Sequence, residues 1–304
     1  MTLFERGTVV VVTHNRRVQL LQALRALERL VPEWPVIVVD NGSSDGTARA
    51  VSRDFPAVLL IRSRRNIGAA ARNIAVAYVH TPYVAFCDDS VMWEPGALQR
   101  AVGVLEQHSA VGVVSARVLL GDTDAPDPAC VALAASPLGR RGLPGPQVLD
   151  FTASACVMRT RAFYEAGGYW PPLFIGGEEA LLAMDLAQRG WQTVYLDEVV
   201  ARRDSGRARQ GRSLERRRLR NAIWVAWMRL PMAMAWTETL AVLRSAARRR
   251  LLRSVLMLTM PGMMRAFKAR HVVSPRVAQM RKLFSSGTGA AQPSVGQAPR
   301  GSMA

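Results

Sequence analysis

Val36-Ile37-Val38-Val39-Asp40 runs straight into Asn41-Gly42-Ser43-Ser44-Asp45-Gly46-Thr47. Four consecutive apolar, mostly β-branched residues are the pattern of a strand buried on both faces. The acid, amide, glycines and serines behind them mark a turn where that strand stops. The same punctuation recurs along the first third of the chain. Residues 8–12 are an apolar run ending in Thr13-His14-Asn15-Arg16, residues 58–61 form a third strand, and residues 83–86 a fourth that closes on Cys87-Asp88-Asp89-Ser90. Between them, Leu20, Leu21, Leu24, Leu27 and Leu30 recur at helical spacing up to Pro32; a helix follows Asp45 through about Arg53, and residues 69–78 are helical after Gly68. Apolar strands alternating with amphipathic helices imply an α/β fold of Rossmann type, a mostly parallel sheet flanked by helices. Ligands of such sheets bind where the strands end.

Beyond this the pattern loosens. Residues 122–146 are rich in Pro and Gly and read as a loop. Residues 151–158 restore a strand, 163–169 a short helix stopped by glycine, 180–188 a helix and 192–196 a last strand. Two stretches rich in Trp, Met and Leu follow, at 221–243 and 251–267, and the Gly/Ser/Ala/Pro/Gln tail after Ser285 is expected to be disordered.

Charge divides the chain in the same place. Residues 1–201 hold 18 basic and 20 acidic side chains, net −2, whereas residues 202–282 hold 21 against 3, net +18. This gives a near-neutral domain at 1–201, a basic, amphipathic helical extension at 202–284 and a tail at 285–304. A basic block of this kind faces polyanions: acidic lipid headgroups, nucleic acid or phosphorylated substrates. No zinc-finger, RRM or Lys-rich signature supports nucleic acid. Arg229, Pro231 and Glu238 break the 221–243 stretch as a membrane span, so the extension either lies in an anionic membrane surface or packs on the domain with a basic outer face. Cys87, Cys130 and Cys156 are too few and too scattered for a disulfide framework, and with no secretory signal visible a cytoplasmic chain is expected.

Four groups of residues suit chemistry. Asp88-Asp89 at a strand end suits a divalent cation that bridges to a diphosphate; the alternative is a solvated turn capping the next helix. Asp40 closes its strand where an acid can accept hydrogen bonds from a base or ribose, but Thr13-His14-Asn15 stands where a dinucleotide fold would carry GxGxxG. Asn66-Ile67-Gly68 opens a small-residue helix with Arg72 and Asn73 able to face a phosphate, although packing on the sheet would call for the same alanines. Gly176-Gly177 precedes Glu178-Glu179, of which one can deprotonate an acceptor hydroxyl and the other cap the helix.

In this order the segments resemble a bacterial family 2 glycosyltransferase of the GT-A fold, over about residues 7–230. Arg220-Asn221-Ala222-Ile223-Trp224 and Trp227-Met228-Arg229-Leu230-Pro231 are similar to a stretch in some bacterial members. The resemblance implies transfer of a sugar from a nucleotide-diphosphate sugar to an acceptor hydroxyl, by inverting single displacement. It puts Thr13, Asn15 and Asp40 in the nucleotide pocket with Asp45, Asn66, Gly68 and Arg72 around it. Asp88 and Asp89 become the site of Mn2+ or Mg2+ and the diphosphate, and Glu178 or Glu179 the base. It also implies a saccharide or lipid-linked acceptor and a place in cell-envelope polysaccharide or glycolipid synthesis, at the cytoplasmic face of the inner membrane. Two departures qualify it. Ser90 stands where the DXD pattern has its last acid, and Arg202-Arg203 where many relatives have a metal-ligating histidine. A guanidinium cannot bind a cation but pairs with a diphosphate, so the arginines are expected to take over part of the metal's work. The competing expectations are a degenerate relative that binds nucleotide sugars without turnover and, behind it, a nucleic-acid-binding protein.

Overall fold

The computed structural model describes residues 6–121, 123–204 and 211–289. Four strands, β1 (Gly7–Thr13), β2 (Val36–Asp40), β3 (Leu59–Arg62) and β4 (Tyr83–Asp88), alternate with α1 (Arg17–Leu30), α2 (Thr47–Asp54) and α3 (Ala71–Val76). Then come β5 (Val91–Trp93), α4 (Ala97–Gln107), β6 (Val111–Leu120), α5 (Pro128–Ala134), β7 (Gln147–Val148), β8 (Ala155–Arg159), α6 (Thr160–Ala166), α7 (Glu178–Gln188) and β9 (Gln192–Arg203). Four helices follow among the described residues: α8 (Arg212–Arg229), α9 (Met232–Arg248), α10 (Leu252–Lys268) and α11 (Pro275–Gly289).

The nine strands among the described residues join one sheet in the order β3-β2-β1-β4-β8-β6-β9-β5, with β7 also on β9. β1 to β4, β6 and β9 point one way; β5, β7 and β8 run against them. β1 lies between β2 and β4, so the chain leaves β1 toward one edge and returns to its other side. That reversal opens a crevice at the C-terminal ends of these strands. Alternation within β1 explains the two faces of the core. Val9 and Val11 pack with Leu20, Leu24 and Leu27 of α1, whereas Val10 packs on the other face with Ala71, Ala75 and Phe86.

The sequence reading and the structure differ in several places. α4 and β6 have no counterpart among the expected elements, although β6 is a central, almost wholly buried strand. A long apolar run does not separate strand from helix by periodicity. β8 starts at Ala155 rather than 151, because Ala155 N–H bonds the Thr152 carbonyl and turns the chain first. β9 continues to Arg203, past the Asp197-Glu198 interruption: the pairing steps from Ala116↔Leu196 to Arg117↔Val200, and the acids sit in the resulting bulge. The stretch at 221–243 is two helices, parted at Leu230-Pro231, since Pro231 lacks the N–H that would continue α8. α11 extends to Gly289, four residues past Ser285; the rest of the expected tail, 290–304, lies outside the described residues, as do Asp122 and 205–210 of the basic block.

α8 is joined to the sheet domain by more than a linker. Ile223, Trp224 and Met228 belong to the same buried cluster as Val9 and Leu24. Arg229 grips Asp185 of α7 with two hydrogen bonds, at 2.5 and 2.9 Å, both side chains only 10% exposed.

Candidate active site

Strand register alone brings the first acids together. Thr13 is paired with Asp40, Asp40 with Arg62, and Val12 with Asp88, so four strands end in one polar row at the crevice. Thr13 Oγ1 donates to Asp89 Oδ2 at 2.8 Å, and Arg16 Nη1 lies 3.5 Å from Asp89 Oδ1. Asp89 is buried, and burial pushes its carboxyl up to about 6; the Thr13 hydroxyl opposes that rise, the neighbouring Asp88 charge adds to it, and Arg16 opposes it. Asp88 meets Arg72 Nη2 at 2.5 Å. Arg72 is buried between the rings of Phe86 and Tyr169, whose centroids are 6.0 and 5.7 Å from its guanidinium carbon. Burial opposes the Arg72 charge most strongly, but Asp88, with smaller contributions from Tyr169, Glu179 and Cys156, outweighs it and keeps the guanidinium protonated.

The loops around this row are built from side chain to backbone bonds. Asp40 Oδ1 accepts from Ser43 N–H at 2.9 Å. Asn15, at φ 54°, accepts from Ser44 N–H, and Asp45 accepts from the N–H groups of Arg17 and Thr47. Asn66 accepts from Gly68 N–H. Thus Thr13, Asp40, Asp88 and Asp89 form the row itself, while Asn15, Asp45 and Asn66 shape its rim. Gly68 has φ 65°, and a Cβ there would lie 2.0 Å from the Phe174 carbonyl oxygen. The rim is thereby pressed against the loop that leads into α7.

That loop delivers the second set of acids. Gly176 and Gly177, at φ 88° and 92°, turn the chain into α7, whose first residues are Glu178 and Glu179. Glu178 is buried and its Oε2 has no hydrogen-bond partner among the described residues. Burial raises the carboxyls of both; Glu179 is raised further by the charges of Glu178 and Asp150. Arg72 is near enough for its charge to act on both. Asp150, itself pushed up to about 6 by burial, adds its charge to this pair of acids and has Arg281, not Arg72, as its nearby cation.

Arg202 and Arg203 lie opposite Met92 and Val91, just past Asp89, but their side chains are engaged with other acids. Arg202 binds Glu94 at 2.6 Å and Asp124 at 3.2 Å, while Arg203 binds Asp127 and donates to Ser154 Oγ at 3.2 Å. Three residues outside the sequence-predicted set contribute: Arg16, Asp150 and Asn221. Asn73, expected to face a phosphate, instead clasps the Tyr169 backbone with both its amide atoms. Asn221 of α8, fully buried, donates to the carbonyls of Leu173, Ile175 and Gly176 and so fixes the approach to Glu178. Among the described residues no group of three or more His, Cys, Asp or Glu is arranged to hold a metal.

The sequence model of the family described as "Glycosyl transferase family 2" matches residues 8–167. The uncharacterized glycosyltransferase YwdF of Bacillus subtilis (strain 168) is 30% identical over 115 residues, covering 36% of this chain and 42% of that protein. The chain therefore aligns with less than half the length of this curated relative. Among solved structures, the mannosyltransferase PcManGT of Pyrobaculum calidifontis, in complex with GDP-Man and Mn2+, superposes with a TM-score of 0.58 at 19% identity, over 96% of this chain and 88% of that one. S. aureus TarS 1-349 in complex with UDP-GlcNAc gives a TM-score of 0.60 at 15% identity, over 95% and 91%. At these identities the two structures speak for the fold. The family match covers more than half of the chain, including β1, β2, β4 and the acids at their ends, and the chain belongs to glycosyl transferase family 2.

Proposed function

We propose that the chain transfers a sugar from a nucleotide-diphosphate sugar to an acceptor hydroxyl, by an inverting single displacement. The observation that carries this reading is the row Thr13, Asp40, Asp88, Asp89 at the strand-order reversal, facing acids at the start of α7. In this reading Asp40 and Thr13 receive the nucleoside. Glu178 or Glu179 takes the acceptor proton as the acceptor oxygen bonds to the anomeric carbon. The bond from that carbon to the diphosphate oxygen breaks, and its electrons leave with the nucleoside diphosphate. A carboxylate whose proton affinity burial has raised suits this role, because its basicity moves toward neutral pH.

The residues fit a divalent cation. Asp88 and Asp89 offer hard oxygen donors on adjacent residues, and Asp88 has a side chain 38% exposed. Mn2+ or Mg2+ held by Asp88 and Asp89 would neutralise charge on the departing diphosphate. Thr13 and Arg16 orient Asp89, and Arg72 orients Asp88. Arg202 and Arg203 join the donor only by exchanging Asp124 or Asp127 for phosphate.

The acceptor class in this reading is a saccharide or lipid-linked saccharide, in cell-envelope polysaccharide or glycolipid synthesis at the cytoplasmic membrane face. The resemblance of the site segments and the basic C-terminal helices support it. Thermal-shift titration with a panel of nucleotide sugars, with Mn2+, Mg2+ or chelator, tests the donor. Transfer or donor hydrolysis that disappears in Glu178→Gln or Glu179→Gln tests the chemistry. Donor binding with no turnover under any condition would replace this reading with a non-catalytic relative.

A further inference from the structure

The fully buried positions of α9 and α10 are mostly small residues; Met234, Val242, Leu243 and Met263 pack partly against the core, and the remaining large apolar side chains face outward. α9 buries Ala235, Thr239 and Ala246; α10 buries Val255, Thr259, Gly262 and Ala266. The fit is close: a Cβ on Gly262 would lie 1.9 Å from the Trp224 ring. A helix that packs only on a water-soluble domain turns its large apolar side chains inward. Here Trp236 is 54% exposed, and Met257, Met260 and Met264 are 67–68% exposed. Helices that meet through small residues and turn large apolar ones away are those whose outer solvent is lipid. Among the described residues no helix is long and apolar enough to cross a membrane.

The exposed apolar residues form one surface. Trp227 of α8 stacks edge-on with Trp236 at 5.1 Å and Phe267 at 5.4 Å, which places the outer rows of α9 and α10 side by side. Each row carries its own cations. On α9 the i, i+4 series is Met232, Trp236, Leu240, Arg244, Arg248. On α10 one face reads Arg253, Met257, Met260, Met264, Lys268. All ten side chains are exposed. The short connection between the helices brings Arg244, Arg248 and Arg253 to one end, and none of the three has an ion-pair partner among the described residues. Residues 232–282 hold 11 basic side chains against the single acid Glu238, which is bound to Arg281.

The geometry points to this face as a dock for an anionic lipid bilayer, the Met/Trp/Leu rows entering the headgroup boundary and the arginines pairing with lipid phosphates. A second protein surface would have no need of unpaired cations around its apolar centre; a phosphate-bearing apolar surface answers both. The dock deepens the transferase reading by making the lipid-linked member of its acceptor classes the relevant one, but it stands on its own observations.

Co-sedimentation of the full chain with vesicles tests it. Vesicles containing phosphatidylglycerol should bind at least roughly tenfold more tightly than pure phosphatidylcholine, and binding should weaken with salt. The double variant Met257→Glu/Met264→Glu should lose vesicle binding while keeping its Tm and its nucleotide-sugar thermal shift, because both side chains stand in solvent. Arg248→Glu/Arg253→Glu should lose the preference for the anionic lipid. Equal binding to both vesicle types, or full binding by the glutamate variant, would overturn the dock. So would a wild-type dimer that the glutamate variant splits, with neither form binding vesicles. Because donor binding is read on the same samples, a failed dock and a failed transferase reading are told apart.

Discussion

Arg72 Nη2 lies 2.5 Å from Asp88 Oδ1, and the two partners sit in unequal surroundings: the guanidinium is 7% exposed and the carboxylate 38%. Removing Asp88 strands a charge in the interior, whereas removing Arg72 leaves a carboxylate that water reaches. Asp88→Ala is therefore expected to cost about 3 kcal/mol of stability, and Arg72→Met about 1 kcal/mol. Urea unfolding of the two variants checks the asymmetry; equal losses would mean that the pair is not the main tie on Arg72.

Asp89 behaves differently from its neighbour. Its carboxyl is already destabilised by burial, and Asn in its place keeps an acceptor for the Thr13 hydroxyl. Asp89→Asn should change stability by less than about 1 kcal/mol, the range of mild substitutions, yet abolish the cation-dependent part of donor binding. Calorimetric titration of nucleotide sugar with and without Mn2+ separates the two effects.

Asp150 gives a pH signature. Its folded carboxyl is raised to about 6, above the value of about 4 in an unfolded chain. The folded state thus holds this proton more tightly. The stability it contributes is complete below about pH 4 and is lost as pH rises through about 6. Asp150→Asn should show a flatter stability profile across that window. Its charge also raises Glu179, so the acid limb of kcat/KM should move downward by roughly half a unit to one unit. A limb that stays in place would separate Asp150 from the catalytic group.

Arg202 and Arg203 bear on cation dependence. Each is committed to a carboxylate, Arg203 to Asp127. If exchange for phosphate supplies part of the positive charge, chelation should lower transfer without abolishing it, and Arg203→Met with chelator should remove the remainder. Complete loss in the wild type on adding EDTA would assign the whole electrostatic task to the cation.

The part of the site that the sequence makes legible is the part built by consecutive residues. A β-branched run followed by an acid reads directly as a strand end, and Asp40, Asp88 and Asp89 stand where such ends meet. Register between strands, which sets Thr13 opposite Asp40, follows from the fold. Contributions across distant segments leave no local trace. Asp150 joins Glu178 and Glu179 through space, and Asn73 reaches Tyr169 across 96 residues. The outer rows of α9 and α10 are visible as Trp, Met and Leu at helical spacing, but periodicity cannot say which face is inward. Only the burial of Ala235 and Gly262 decides that.

Asn221 shows how a residue outside the cleft can govern it. Its amide nitrogen lies 2.9, 3.1 and 2.5 Å from the carbonyls of Leu173, Ile175 and Gly176, in a fully buried position. Those carbonyls point away from solvent because the loop must turn at Gly176 and Gly177 to present Glu178. Leucine has nearly the same shape as asparagine but no donor, so Asn221→Leu leaves the carbonyls unsatisfied and should cost about 2–3 kcal/mol. The loop would relax toward other partners and carry Glu178 and Glu179 off their positions. Expected kinetics are a fall in kcat with donor KM nearly unchanged, since Asp40 and Asp88 close β2 and β4, with Asp89 directly after β4, and none of them is on this loop. A variant with normal kcat and a raised donor KM would place Asn221 with the nucleotide instead, and one with neither change would remove the loop from the mechanism.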